Sequence, residues 1–166
     1  IKKKYGKPRI TQIMDAGEVK VYDPEESVEN FPVKLLLTRD GYFKKIAVTP
    51  RTVFSLEDQK LKDGDVITTV LDAENRDELV FFTDKCQVYK SRISDFADSK
   101  ASVLGEYIPS KLEMEEGENA IFMVVTDDYK GYMMFFFDNG KCAKVNVSSY
   151  ATKTNRKKLI KAYSDK

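Results

Sequence analysis

The chain has 166 residues and a formal net charge of +1, with 42% hydrophobic and 33% charged residues and no histidine. That composition fits one globular domain and excludes a disordered chain, while the absence of imidazole removes the commonest general base and metal ligand. Two cysteines, Cys86 and Cys142, make neither a disulfide framework nor a metal site, and no apolar run approaches the roughly 18 residues needed to span a membrane.

The chain opens on Ile1 rather than Met and carries no secretory signal, so a piece of a longer cytoplasmic protein is expected. Residues 1–9 hold five basic side chains and no acid. Gly6 and Pro8 break the stretch from Lys2 to Ile13, leaving room only for a helix end. Six acids follow, Asp15, Glu18, Asp23, Glu25, Glu26 and Glu29, against Lys20 alone, and read as a flexible acidic linker.

A repeat then begins. Leu36-Leu-Thr-Arg-Asp-Gly-Tyr-Phe-Lys-Lys45 recurs as Phe81-Phe-Thr-Asp-Lys-Cys-Gln-Val-Tyr-Lys90 and as Phe135-Phe-Phe-Asp-Asn-Gly-Lys-Cys-Ala-Lys144. Each is an apolar run, a polar turn and a β-prone segment ending in lysine. Asp40-Gly41 and Asn139-Gly140 predict two-residue type I′ hairpin turns. Lys85-Cys86 lacks glycine, so a longer turn or another type is expected there. A second marker lies between the units: Asp63-Gly64-Asp65 precedes an apolar run at 66–71, and Glu116-Gly117-Glu118 precedes another at 120–126. Both runs read as fully buried strands. Repeats of about 45–50 residues with four strands each predict propeller-like blades; an ordinary β-sandwich is the alternative. The stretch 155–163 reads either as a short amphipathic helix through Leu159, Ile160 and Tyr163 or as a basic loop. It falls within the segment 141–166, where eight basic residues meet only Asp165.

With these segments in order, the chain resembles the A subunits of bacterial type IIA topoisomerases, the gyrase A and topoisomerase IV A family. Lys4-Tyr-Gly-Lys-Pro-Arg-Ile-Thr-Gln-Ile13 is similar to the motif that ends that family's coiled-coil arm, with Arg9 present and Ile10 in place of a second arginine. An acidic linker follows in the family too. The stretches 35–44, 79–90 and 108–117 resemble further family segments in the same order. The resemblance implies an all-β fold, a propeller-like β-pinwheel of four-stranded, strand-swapping blades with about three blades present. It divides the chain into an arm end (1–14), an acidic linker (15–31) and a partial pinwheel (32–166, with units near 32–60, 61–110 and 111–166). Gyrase A subunits carry a Gln-Arg-Arg-Gly-Gly-x-Gly box after the first hairpin. Here Val48-Thr-Pro-Arg-Thr-Val-Phe-Ser-Leu-Glu-Asp-Gln-Lys60 lacks it, which argues against chiral wrapping of DNA.

The function this implies is sequence-nonspecific binding and positioning of duplex DNA for ATP-dependent strand passage catalysed elsewhere. On that reading the piece holds no catalytic residue, metal or cofactor. ATP and magnesium act elsewhere in the holoenzyme, whose other parts are the ATPase B subunit together with the rest of the A subunit. The implied setting is the bacterial cytoplasm, associated with the nucleoid and with no membrane partner. A phosphate-neutralising rim is expected from the second strand of each hairpin (Lys44, Lys45, Lys90, Arg92, Lys141, Lys144), from the following loops (Arg51, Lys100) and from the cluster Arg156, Lys157 and Lys158. For each side chain alone the plainer reading is a solvated surface charge; recurrence favours the set. The stripes Phe81-Phe82 and Phe135-Phe136-Phe137 read as buried strand rather than base-stacking platforms. Glu113, Glu115, Glu116 and Glu118 read as a solvated turn, and the cysteines as packing or turn residues. A propeller-like protein-interaction domain with no nucleic-acid role is the competing reading.

Overall fold

The computed structural model describes residues 28–51, 53–126, 128–152 and 157–164. The arm-end motif, the linker up to residue 27 and Arg156 lie outside the described residues.

Three antiparallel hairpins organise the chain: β1 (Pro32–Thr38) with β2 (Tyr42–Ala47), β4 (Glu78–Thr83) with β5 (Val88–Arg92), and β8 (Tyr132–Phe136) with β9 (Cys142–Asn146). Each of the first two hairpins gains an outer strand from the segment leading into the next. β3 (Ile67–Glu74) pairs with β1, and β7 (Ala120–Thr126) pairs with β4. The fourth strand comes from beyond the next hairpin. β6 (Glu106–Tyr107) returns to β2, and β10 (Lys158–Leu159) returns to β5. The sheets therefore run β3-β1-β2-β6 and β10-β5-β4-β7, with β8-β9 as a two-stranded third. The expected four-stranded, strand-swapping blades are thus present around the first two hairpins, each taking its other two strands from residues further along the chain.

All three hairpins turn alike. Gly41, Cys86 and Gly140 each donate their N–H three residues back, to Thr38, Thr83 and Phe137. Each also has positive φ, at 86°, 56° and 78°. Asp40 and Asn139 are absent from the left-handed region, so the turns are not type I′. They are type I turns closed by one left-handed residue, the three-residue hairpin loop. Cys86 adopts the position glycine fills in the other two, and the second loop needs no extra length.

The strands expected to be fully buried are not. β3 alternates half-buried and exposed along its length, because it is an outer strand of its sheet. Complete burial falls on the central β1 and β4, where Leu35, Leu37, Leu79 and Phe81 are inaccessible. The stretch 157–163 is strand and turn, not helix: β10 is followed by Lys161 at φ 54°. A single helical turn, α1 (Ile108–Lys111), follows β6, with Pro109 at its start where a missing N–H costs nothing.

The blades stack head to tail. Along β1, Val33, Leu35 and Leu37 define a front face, joined across the hairpin by Phe43. This face packs on the back face of blade 2, formed by Leu79, Phe81 and Tyr89. Blade 2 in turn lays its front face, Val80, Phe82 and Val88, on Phe135 of blade 3. Aromatic edges lock both junctions: Phe43 meets Phe81 at 5.8 Å, and Phe82 meets Phe135 at 5.5 Å between ring centroids. The returning segments complete each core, through Ile93, Phe96 and Ile108 at the first junction and Val147, Tyr150 and Tyr163 at the second.

Candidate nucleic-acid interface

The recurrent lysine ending each second strand occupies one structural place, on the front face: Lys45 is opposite Leu35, Lys90 opposite Val80 and Lys144 opposite Met134. Its surroundings differ from the expected rim. Lys45 is buried, and its ammonium donates to Asn75 Oδ1 and pairs with Asp98, both at 3.0 Å. Lys90 is largely covered. It lies 4.9 Å from the Tyr129 ring centre and 3.7 Å from Glu78, and reaches Thr152 at 3.5 Å. Asn75 and Tyr129 each precede a following hairpin, and Asp98 and Thr152 each belong to a returning segment. In two junctions the lysine therefore ties its blade to the next unit. Only Lys144 is exposed; it lies 4.0 Å over the Tyr132 ring.

Lys44 departs furthest from expectation. It sits on the back face with 1% exposure, donating to Gln59 Oε1 at 3.3 Å and to the Ala101 carbonyl at 3.1 Å. Burial lowers its pKa. Lys44 and Lys45 are therefore interior groups and cannot reach a phosphate backbone without opening blade 1. The expectation of a rim lysine fails at both because period-two alternation sends each of these neighbouring residues into a packed face.

The other expected residues are accessible to varying degrees. Arg51, Lys100, Lys141 and Lys157 are exposed, and Arg92 is half-buried at the end of β5. Lys158 pairs with Glu115 at 2.8 Å and lies 5.4 Å from the Tyr89 ring centre. The Glu115 hydrogen bond raises the Lys158 pKa and, reciprocally, lowers that of Glu115. Lys158, Lys157 and Lys90 line one groove of about 540 Å³, and Lys111 of α1 joins them. Lys111 was absent from the sequence expectation. It lies outside the repeated units that mark the other lysines, and only the return of 93–111 to the edge of blade 1 brings it here. Asp95 and Glu113 lie in the same groove.

The marker before each outer strand proves to be a turn latch. Asp65 Oδ1 accepts the N–H groups of Asp40 and Val66 at 3.0 and 2.8 Å. Burial pushes the Asp65 pKa up, but hydrogen bonds from Thr38, Asp40 and Val66 outweigh it and hold the carboxyl below its ordinary value. In blade 2 Glu118, 2% exposed, accepts from the Thr83 hydroxyl at 2.5 Å, the Tyr89 hydroxyl at 2.9 Å and the Glu115 N–H at 3.0 Å. Glu118 is thus not part of a solvated turn. Its neighbours Glu113, Glu115 and Glu116 are exposed. Among the described residues no cluster of three or more His, Cys, Asp or Glu is placed to hold a metal ion, and no helix is long and apolar enough to cross a membrane.

Stacked, strand-swapping four-stranded blades define a β-pinwheel. No family model matches the chain. Among curated proteins it is similar to the A subunit of DNA topoisomerase 4 from Staphylococcus aureus strains MRSA252 and NCTC 8325, at 29% identity over 163 residues in each case. Those matches cover 96% of this chain, which spans only 20% of the relatives' length. Among solved structures, the C-terminal domain of DNA topoisomerase IV superposes with a TM-score of 0.68 at 25% identity, covering 78% of this chain and 40% of that one. The E. coli ParC and DNA gyrase A C-terminal domains share the fold, with TM-scores of 0.58 and 0.51, both at 17% identity; they cover 72% and 77% of this chain, and 46% and 45% of those domains. The likeness in sequence to topoisomerase 4 A subunits thus runs along nearly all of the chain, and the likeness in fold to these C-terminal domains covers about three-quarters of it.

Proposed function

We propose that this chain is a DNA-holding module of a type IIA topoisomerase A subunit, binding duplex DNA through its phosphates while strand passage is catalysed elsewhere in the holoenzyme. The observation that carries this reading is the likeness, in sequence and in fold, to the topoisomerase IV C-terminal domain. The groove bearing Lys90, Lys111, Lys157 and Lys158 supports it, with Arg51, Arg92, Lys100, Lys141, Lys144 and Arg156 as further contacts. Such contacts release counterions and are blind to base sequence. The module supplies no catalytic group of its own, and the partners on this reading are duplex DNA, the ATPase subunit, and the rest of the A subunit. The absence of the Gln-Arg-Arg-Gly-Gly-x-Gly box favours holding over wrapping.

The test is binding of a long linear duplex across a range of salt, beside an Arg156→Glu/Lys157→Glu/Lys158→Glu variant. The expected result is a steep dependence of affinity on salt whose log–log slope falls by about 2–3 in the variant, near 0.9 for each phosphate no longer neutralised. Absence of binding at low salt refutes the proposal and favours a protein-interaction module.

A further inference from the structure

In the groove that carries Lys90, Lys111, Lys157 and Lys158, cations already meet the chain's own acids. Lys111 pairs with Glu106 at 2.7 Å and Lys158 with Glu115 at 2.8 Å, while Lys90 lies 3.7 Å from Glu78. These acids differ in how firmly they are held. Glu106 also accepts the Ala97 N–H at 2.8 Å, and its side chain is 24% exposed. The Glu115 side chain is 52% exposed, the most open of the three.

The repeat marks the Glu115–Lys158 pair as an addition that the blade does not need in order to fold. The turn before each outer strand closes alike: Asp65 N–H donates to the Lys62 carbonyl and Glu118 N–H to the Glu115 carbonyl, both at 3.0 Å. Glu115 therefore stands where blade 1 has Lys62. The returning strands match in the same way. Lys158 is opposite Tyr89, and the equivalent place opposite Lys44, one residue before Glu106, is Gly105. Blade 1 thus forms without a cation at this place on its returning strand, and its Lys62 reaches Asp40 instead, at 3.1 Å. Blade 2 has the cation and the acid together, and they meet. The Tyr89 ring centre lies 5.4 Å from the Lys158 ammonium, and the Gln87 side chain hydrogen-bonds Glu115.

We propose that Glu115 is a built-in stand-in for a DNA phosphate: its carboxylate occupies Lys158 until a phosphate of the duplex displaces it, and it thereby weakens the groove's hold on DNA. This inference rests on the DNA-holding reading above. An ammonium donates to a carboxylate oxygen and to a phosphate oxygen in the same way. An ion pair this open to water contributes little, so a polyanion can take the lysine without opening the blade. The turn survives the exchange, because the Glu115 N–H stays on Glu118 at 3.0 Å. A competitor tethered in the same chain acts at a high effective concentration, so Glu115 recaptures Lys158 whenever the duplex loosens, and the grip stays reversible.

The test is a double-mutant cycle on affinity for a fluorescently labelled duplex, read by anisotropy with the full chain at one low salt concentration. Glu115→Gln should tighten binding by about 2–5-fold, the fold-change that corresponds to an exposed ion pair. In a Lys158→Gln background the same substitution should gain no more than Glu116→Gln does, since that neighbouring exposed carboxylate acts on DNA through screened solvent. The inference is overturned if Glu115→Gln gains no more than Glu116→Gln in the parent, or if its gain survives undiminished beside Lys158→Gln; duplex binding by the parent then leaves the DNA-holding reading standing. A parent that binds no duplex at low salt overturns both.

Discussion

Gly105, immediately before the swapped strand β6, lies against the backbone of blade 1, and its substitution tests the swap itself. A Cβ built there lies 2.2 Å from the Phe43 carbonyl oxygen and 2.8 Å from Lys44 Cγ, with φ at +93°. The first clash is with backbone already paired in the sheet, so it is relieved only by pulling 105–107 away from β2. A left-handed non-glycine costs about 1–3 kcal/mol, and overpacking adds about 1–3 kcal/mol, so Gly105→Ala should destabilise by roughly 2–6 kcal/mol. Gly64 provides the control: its φ is +77° and nothing lies within 4 Å of an added Cβ. There only the backbone term remains, about 1–2 kcal/mol. With a urea slope of about 1–3 kcal/mol/M, Gly105→Ala should move the unfolding midpoint about two to three times as far as Gly64→Ala. Equal shifts in the two variants would refute the close approach and with it the return of this segment to blade 1.

Glu118→Ala strips a buried acceptor from two hydroxyls and an amide, and should cost about 2–4 kcal/mol in chemical denaturation; Glu118→Gln keeps one acceptor and should recover part of that loss. Among the groups that shape the alkaline limb of stability, Lys44 and Tyr150 act in opposite senses. The Lys44 pKa is lowered by burial, so the unfolded chain holds that proton more tightly and stability rises with pH up to the ordinary lysine range. Lys44→Met removes that rise. Burial pushes the Tyr150 phenol up to about 12, so its contribution is complete below the ordinary value of 10 and is lost as pH climbs from there towards 12. Tyr150→Phe should flatten that loss, as read from unfolding midpoints across alkaline pH.

The repeat makes the architecture legible in the sequence. Thr38 and Thr83 do occupy equivalent turn positions, and the acid-glycine-acid markers do precede the outer strands. The turn type is not legible from the glycines, because glycine at 41 and 140 is equally compatible with a type I′ turn and with a type I turn closed by one left-handed residue. Cys86, with a Cβ at that position, holds the answer, since only the second type asks a single residue for positive φ. The returning strands are invisible for a different reason. β6 and β10 are two residues each, too short to show any alternation. They exist because a neighbouring blade offers an edge to pair with.

The lysines teach the more general point. Recurrence of Lys45, Lys90 and Lys144 looks like a functional stripe, and a repeat protein that binds a polyanion would produce that pattern. A repeat whose units must also bind one another produces it too. In the stack the first two lysines serve the junctions, meeting Asn75 and Asp98 or Tyr129 and Thr152 from the following unit. The third stands exposed on the open front face, where no following blade is described. Periodicity in the sequence therefore reports equivalence of position, and the structure decides whether that position faces a ligand or the next repeat. The proposed DNA groove draws instead on cations that no repeat marks, Lys111, Lys157 and Lys158, brought together by two segments that return from different blades. On the DNA-holding proposal, charge reversal at those three should cost affinity in a salt-titrated duplex-binding assay with little change in the unfolding midpoint, and Lys45→Met should lower the unfolding midpoint instead.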